Sequence, residues 1–181
     1  LVVDGEGEET LRSIAAAVAD DRDVTTLEGV GHLLEGEPVW NEGRPLIRKL
    51  DTLPFPDFSD FDWGNYPNPY LIPIMASRGC VLKCAFCYET VYWKRYRMQS
   101  PQRVVAEIEH QVEQHPMKDE AATGDHRFYF MFADSLVNGH LRGLQRTSRL
   151  LAERGLPVSW GGQATMDKRM DAEVCRDLRA S

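Results

Sequence analysis

The stretch that decides the reading is Leu71-Ile72-Pro73-Ile74-Met75-Ala76-Ser77-Arg78-Gly79-Cys80-Val81-Leu82-Lys83-Cys84-Ala85-Phe86-Cys87-Tyr88. Its first five residues are an apolar run that predicts a buried strand, and Gly79 gives the loop after it a flexible joint. Three of the four cysteines then fall within eight residues, spaced Cys-x3-Cys-x2-Cys. Clustered thiols without a disulfide framework read first as metal ligands. A structural zinc site takes four ligands, commonly as two separated pairs, whereas here three thiols stand together with no close fourth. The ferredoxin spacings, Cys-x2-Cys-x2-Cys and Cys-x4-Cys-x2-Cys, do not fit. Three thiolates can hold three irons of a four-iron cluster and leave the fourth open to a substrate or cofactor. The competing reading is a zinc knot with Cys175, His110 or His115 as fourth ligand.

Composition narrows the class. A chain of 181 residues is enough for one medium domain, or one domain and part of another. Hydrophobic content of 43% and charged content of 27% are those of a soluble globular protein. A net charge of −7 gives no electrostatic basis for nucleic-acid binding. No apolar run approaches the ~20 residues of a membrane span. The opening Leu1-Val2-Val3-Asp4-Gly5-Glu6 carries neither a basic region nor a cleavage site, so no signal peptide is expected. Free, clustered cysteines predict a reducing cytoplasm. Cys175 is expected as a small buried residue on a helix face with Val174 and Leu178.

Around the decisive stretch the chain alternates strand and helix patterns. Leu1-Val2-Val3 predicts the end of a buried strand, and Asp4-Gly5-Glu6-Gly7-Glu8 a turn. Leu11, Ile14, Ala15 and Val18, at i, i+3, i+4 and i+7, predict the apolar face of a helix, with Glu8 and Glu9 favourably at its start. Val30–Leu34 and Val39-Trp40 around Glu35-Gly36-Glu37-Pro38 predict a hairpin, with His32 facing solvent. Prolines 54, 56, 67 and 69 preclude a regular helix and favour an extended path. The interleaved Phe55, Phe58, Phe61, Trp63, Tyr66 and Tyr70 cannot all face water, so this connector is expected to be ordered, or else to bind a partner. Ser100-Pro101 predicts a helix start, with Val104, Val105, Ile108 and Val112 inside and Arg103, Glu107 and Glu109 solvated. Lys94, Arg95 and Arg97 read as surface cations that could meet a substrate carboxylate or phosphate. Phe128–Phe132 predicts a strand ending at Ala133-Asp134-Ser135. A helix carrying Leu141, Leu144 and Leu151 follows, then a strand over Pro157–Trp160 ending at Gly161-Gly162-Gln163, and a last helix capped by Asp171. The fold class is α/β, with a parallel sheet and right-handed crossovers. Cys80, Asp134-Ser135 and Gly162-Gln163 fall at carboxyl ends of strands, where βα folds collect their chemistry.

With Phe86 in the aromatic position, Cys-x3-Cys-x-aromatic-Cys resembles the signature of the radical S-adenosylmethionine (radical SAM) superfamily. The resemblance implies that Cys80, Cys84 and Cys87 hold a 4Fe-4S cluster whose open iron chelates the methionine end of S-adenosylmethionine. Reductive cleavage then gives a 5′-deoxyadenosyl radical that takes hydrogen from a substrate. The cofactor supplies the chemistry; the protein positions it and excludes water and oxygen. The connector Leu50-Asp51-Thr52-Leu53-Pro54-Phe55-Pro56-Asp57 and the Gly5-to-Glu8 loop resemble the cobalamin-dependent branch.

That resemblance implies a domain plan. Residues 1–23 would be the last βα unit of a Rossmann-like cobalamin-binding domain, 24–66 a hairpin and connector, and 67–181 the first half of a (β/α)6 barrel. An eight-unit barrel takes ~250 residues, so the chain reads as an internal piece of a larger protein. The resemblance places Gly5, Glu6 and Gly7 at cobalamin. It places Phe86, Tyr88, Asp134, Ser135 and Gln163 at S-adenosylmethionine, although Ala133-Asp134-Ser135 stands where the superfamily often has Gly-Gly-Glu. The plainer readings are a simple βα turn and a helix-start acid. The implied reaction is cobalamin-dependent methyl transfer to an unactivated centre. The alternatives are a radical cyclase, ring-contracting enzyme or methylthiotransferase, and further off a non-catalytic iron–sulfur or zinc protein. Implied partners are a small-molecule, natural-product-like substrate and an electron donor such as flavodoxin or ferredoxin.

Overall fold

The computed structural model describes residues 1–119 and 127–181. The chain divides into two compact units, Leu1–Arg48 and Lys49–Ser181.

In the first unit, β1 (Val2–Val3), β2 (Val30–Leu34) and β3 (Glu37–Trp40) form an antiparallel sheet in that order. Glu35 and Gly36, at φ of 53° and 89°, close β2 onto β3 with Leu34 opposite Glu37. Two consecutive positive φ values give the turn the same hand as the strand twist, which is why a hairpin takes this short loop. Helix α1 (Gly7–Ala19) differs from expectation. Thr10 and Ala17 are its buried residues, while Leu11 is 62% and Val18 65% exposed. Small side chains face inward because Gly29 passes so close that a Cβ there would lie 2.7 Å from Thr10 Oγ1. Of the apolar face predicted from the periodicity, Leu11, Ala15 and Val18 point outward and Ile14 is half-buried. Leu1 and Val2, expected in a buried strand, are also exposed, since β1 is the edge of the described sheet.

The second unit is built on three parallel strands, β4 (Leu71–Ile74), β7 (Phe128–Phe132) and β8 (Val158–Gly162), in the order β4-β7-β8. The register sets Ile72 opposite Phe130, and Phe130 opposite Trp160. Alternate residues point inward, as a strand demands: Ile72, Ile74, Phe128, Phe130 and Phe132 are buried together. Pro73 cannot donate to a ladder, which suits it to β4 at the described edge. Helices α3 (Pro101–Gln114) and α4 (Leu141–Arg154) pack against each other, as do α4 and α5 (Ala172–Ala180). Val104, Val105, Ile108 and Leu151 complete the core.

Local chemistry explains the helix ends. Ser100 caps α3 by accepting from Arg103 N at 3.2 Å, with Pro101 in the first turn. Gly155, at φ 61°, ends α4 in the left-handed conformation that glycine tolerates. Asp171 caps α5 by accepting from Glu173 N and Val174 N. Cys175, expected to be buried there, is exposed; its neighbour Val174 takes the inward position.

Glu107 is a second correction: expected in solvent, it is only 3% exposed. It accepts from Arg103 Nη1 at 2.8 Å. Arg103 also donates to the carbonyls of Leu53 and Pro54 and lies 3.8 Å over the Phe55 ring. One turn on, Gln111 donates to Pro56 O at 2.7 Å, and at the helix start Ser100 N donates to Asp51 at 2.8 Å. A polar stripe at i, i+4 and i+8 of α3 thus binds residues 51–56 along its length, and the aromatics of the connector cluster behind it, with Trp63 buried.

Removing one partner of a buried ion pair strands the other. Glu107→Ala is expected to lower the stability of the protein by about 3 kcal/mol in thermal or denaturant unfolding, and Glu107→Gln by less. Burial pushes the Glu107 carboxyl up while Arg103 pulls it down, the net direction being up. A raised acid stabilises fully at low pH and loses that contribution as pH rises through its folded-state pKa. The stability of the wild type relative to Glu107→Gln should therefore fall as pH rises above the ordinary glutamate range.

Candidate functional site

The strand ends assemble the site. After β4 the chain turns through Met75 and Ala76 into β5 (Ser77–Arg78), which pairs antiparallel with β6 (Arg97–Met98). Gln99 N donates to Ala76 O at 2.8 Å, extending that clamp. Ala133 N donates to Ile74 O at 2.8 Å, so the residues after β7 run alongside those after β4. Asp134 arrives beside Ala76 and Ser77. It accepts from Ala76 N at 3.0 Å on one oxygen and from the Ser77 hydroxyl on the other, and is 5% exposed. Burial pushes its carboxyl above the usual carboxylate range, while the hydrogen bonds from Ser77 and Ala76 pull the other way. Tyr96 completes this buried polar group. Burial raises its phenol, a hydrogen bond with Ser77 opposes the rise, and Asp134 and Cys80 add to it.

Gly79 joins this clamp to the cysteine loop. Its φ is +82°, and a Cβ would stand 2.9 Å from Arg95 O and 3.1 Å from Trp93 Cβ. Only glycine fits both the conformation and the space. Trp93 is itself flanked by Arg78 and Arg97, at 5.6 and 5.8 Å from its ring centre.

All three loop cysteines are free; Cys80 and Cys87 are half-buried and Cys84 is exposed. Cys87 N donates to Cys84 O at 3.1 Å, and Leu82 N donates to Cys80 Sγ at 3.4 Å. Among the described residues no three His, Cys, Asp or Glu side chains converge closely enough to grip a metal ion as they stand. The donor chemistry nevertheless fits an iron–sulfur cluster: three soft thiols on one short loop, one already receiving a backbone N–H, of the kind that tunes cluster sulfurs.

The other expected positions are distributed around this loop. Phe86, 93% exposed, and Tyr88 stand at the surface of the described chain. Ser135 donates its hydroxyl to Glu89, the first residue of α2 (Glu89–Tyr92). This second tie between the end of β7 and the cysteine segment was not expected from the sequence; its signal is an acid two residues beyond the last cysteine, at a helix start. A cleft of about 300 Å³ beside Cys80 is lined by Glu89, Lys83, Lys94, Arg95 and Tyr96 among others. Arg97, read as a surface cation, is buried instead. Gln163, just past β8, is exposed, and its carbonyl accepts from Val137 N at 2.8 Å. A larger cavity, about 640 Å³, lies between the connector and the end of α3; His110 and His115 line it, but none of the residues expected at the cluster or the cofactors does.

In the first unit, Gly5 (φ +75°) is open, Glu6 is buried and accepts from Ile47 N at 2.6 Å, and Gly7 begins α1. No helix is long and apolar enough to cross a membrane, among the described residues.

The chain is 31% identical over 195 residues to an anaerobic magnesium-protoporphyrin IX monomethyl ester cyclase of Cereibacter sphaeroides, covering 99% of the chain and 29% of the relative. It is 29% identical over 159 residues to a cytidylyl-2-hydroxyethylphosphonate methyltransferase of Streptomyces wedmorensis, covering 79% and 27%. Among solved structures, the cobalamin-dependent S-adenosylmethionine radical enzyme OxsB, with aqua-cobalamin and S-adenosylmethionine bound, matches 97% of the chain and 25% of its own length. Its TM-score is 0.67 at 17% identity. No protein-family model matches. The fold is that of cobalamin-dependent S-adenosylmethionine radical enzymes. The chain is a homologue of the cyclase and the methyltransferase named here and spans about three tenths of the length of those relatives.

Gly79 and Gly5 share a positive φ but differ in surroundings. A side chain in the left-handed region costs roughly 1–2 kcal/mol by itself. Gly5→Ala is expected to cost about that much, and Gly79→Ala clearly more, because its Cβ meets backbone. Unfolding midpoints of the two variants against wild type check this; equal losses would mean the 93–95 backbone yields freely.

Proposed function

We propose that the protein is a radical SAM enzyme that cleaves S-adenosylmethionine reductively to start radical chemistry, with cobalamin as a second cofactor. The observation that carries this reading is the Cys-x3-Cys-x2-Cys loop at the carboxyl end of a parallel strand, held to the end of the neighbouring strand by Asp134 and Ser135. Cys80, Cys84 and Cys87 would hold the 4Fe-4S cluster. When bound, such a cluster supplies the single electron that breaks the sulfonium bond of S-adenosylmethionine.

The remaining work falls to the chain. Phe86 and Tyr88, exposed beside the loop, would bind S-adenosylmethionine. Ser135 and Gln163, at the ends of β7 and β8, offer polar groups to S-adenosylmethionine, and Asp134 serves the same strand end from within. Gly5, Glu6 and Gly7 would lie at cobalamin, Gly5 leaving open space and Glu6 bracing the turn through Ile47 N. In this reading residues 1–23 close a cobalamin-binding domain, 24–66 connect, and 67–181 open a radical SAM barrel. The antiparallel pairing of the hairpin with β1 draws it into the first compact unit. The protein would work in the reducing cytoplasm on a small-molecule substrate and take its electron from a small redox protein.

The reaction we assign is methyl transfer to an unactivated centre, and the methyltransferase among the relatives supports the transfer. The higher identity to the cyclase favours a second reading, radical ring closure. The two differ in their products. Methyl transfer consumes S-adenosylmethionine twice per turnover, once for 5′-deoxyadenosine and once for S-adenosylhomocysteine. Anaerobic turnover of the full-length protein with cobalamin and reductant should give the two in near-equal amounts. Deoxyadenosine with a converted substrate and no S-adenosylhomocysteine would establish the cyclase reading instead. Either outcome requires iron: changing any one of Cys80, Cys84 or Cys87 to Ala should abolish cleavage, and Cys175→Ala should leave it intact.

A further inference from the structure

We propose that Asp134 is a positioning residue for the cysteine loop: by holding the Ala76 N–H and the Ser77 hydroxyl, its carboxylate sets where Cys80 stands, and it does not itself touch S-adenosylmethionine. The proposal rests on the cluster reading above and concerns how that site is built.

Three observations carry it. First, Asp134 is 5% exposed and each of its oxygens already accepts a hydrogen bond from within the protein. A carboxylate committed in this way has little surface left for a ligand's ammonium group. Second, what it holds is the root of the cysteine loop. Two residues separate Ser77 from Cys80, and neither is slack. Arg78 is in the β5–β6 ladder opposite Arg97, and Gly79 is pressed against the Arg95 carbonyl in a conformation that fixes its direction. A displacement of Ser77 therefore passes to Cys80 rather than being absorbed. Third, Ala76 gives its N–H to Asp134 and its carbonyl to Gln99 N, so both backbone groups of this corner residue are committed. Burying a carboxylate is costly unless it is hydrogen-bonded, and this one is held by the corner that leads into the cysteine loop.

The positioning role and direct cofactor contact make opposite predictions for conservative changes. In Asp134→Asn the amide oxygen can accept from Ala76 N, and the amide NH2 can donate to the Ser77 oxygen, which is able to accept. The tether survives and the charge is lost. Asp134→Ala loses both, and Ser77→Ala loses half the tether while leaving the charge. The experiment uses the full-length protein in two states. In the metal-free state, amide hydrogen exchange over residues 76–80 reads the tether itself. Asp134→Ala should speed it at least about tenfold, since hydrogen bonds to a charged group are lost on both oxygens, and Asp134→Asn should leave it near wild type. In the anaerobically reconstituted state, iron loss to a chelator and the affinity for S-adenosylmethionine are measured. Asp134→Ala and Ser77→Ala should each lose iron about tenfold faster, the double variant should be little worse than either, and Asp134→Asn should match wild type in both readouts.

The proposal is overturned if Asp134→Asn and Asp134→Ala both lose affinity for S-adenosylmethionine while holding iron normally, because that is direct recognition of a positive group. It is overturned equally if all the variants hold iron as wild type does. Should Asp134→Ala not fold, Ser77→Ala and Asp134→Asn decide between the same outcomes. Failure of the underlying reading shows separately, in a wild-type protein that binds no iron at all.

Discussion

One buried carboxylate joins the two strand ends on which the site depends. Parallel pairing of β4 with β7 brings Ala76 and Asp134 to the same end of the sheet. Backbone pairing alone would leave the corner after β4 with unsatisfied donors, and an unpaired buried N–H is nearly as costly as a lost hydrogen bond. Asp134 accepts from that backbone and from Ser77, and in return is itself kept hydrogen-bonded although buried. The second tie, from Ser135 to Glu89, fastens the far end of the cysteine loop to the same strand end. The loop is thus held at both its root and its exit by consecutive residues, while the cysteines between stay free.

The connector is governed by the same economy of polar groups. An extended segment rich in proline makes few hydrogen bonds with itself, so its carbonyls must be met from outside. Arg103 and Gln111 on α3 meet those of Leu53, Pro54 and Pro56. Glu107 neutralises Arg103 in a place where a lone guanidinium would be expensive. The result is a rigid lead-in to the strand that carries the cysteines, with Trp63 and its aromatic neighbours filling the space behind.

Much of this was legible in the residues. The cysteine loop, the strand before it, the Ser100-Pro101 helix start, the Glu35-Gly36 turn and the parallel strand ends at 134 and 162 each rest on local signals that tertiary packing does not override. The failures share a cause. On α1, Leu11, Ile14, Ala15 and Val18 make the more apolar face, but the chain buries Thr10, which lies against Gly29, and Ala17 instead. Glu107 was assigned to solvent as a charge, although Arg103, Glu107 and Gln111 at four-residue spacing form a polar stripe of the kind that binds a neighbouring segment. Cys175 is expected on one helix face with Val174 and Leu178, but adjacent helical residues point about 100° apart, and Val174 holds the inward position. Which groups meet the carboxylate of Asp134 depends on pairing across 57 and 58 residues of sequence, and no local pattern carries that information.

The central claim is that three cysteines of one loop hold a cluster with one iron left for the cofactor. Mössbauer spectroscopy of the full-length protein, reconstituted anaerobically with iron-57, tests it most directly. The account predicts a 4Fe-4S spectrum in which one iron site is distinct from the other three and shifts when S-adenosylmethionine is added. A protein that takes up zinc in place of iron, or a cluster whose spectrum is indifferent to S-adenosylmethionine, would contradict it.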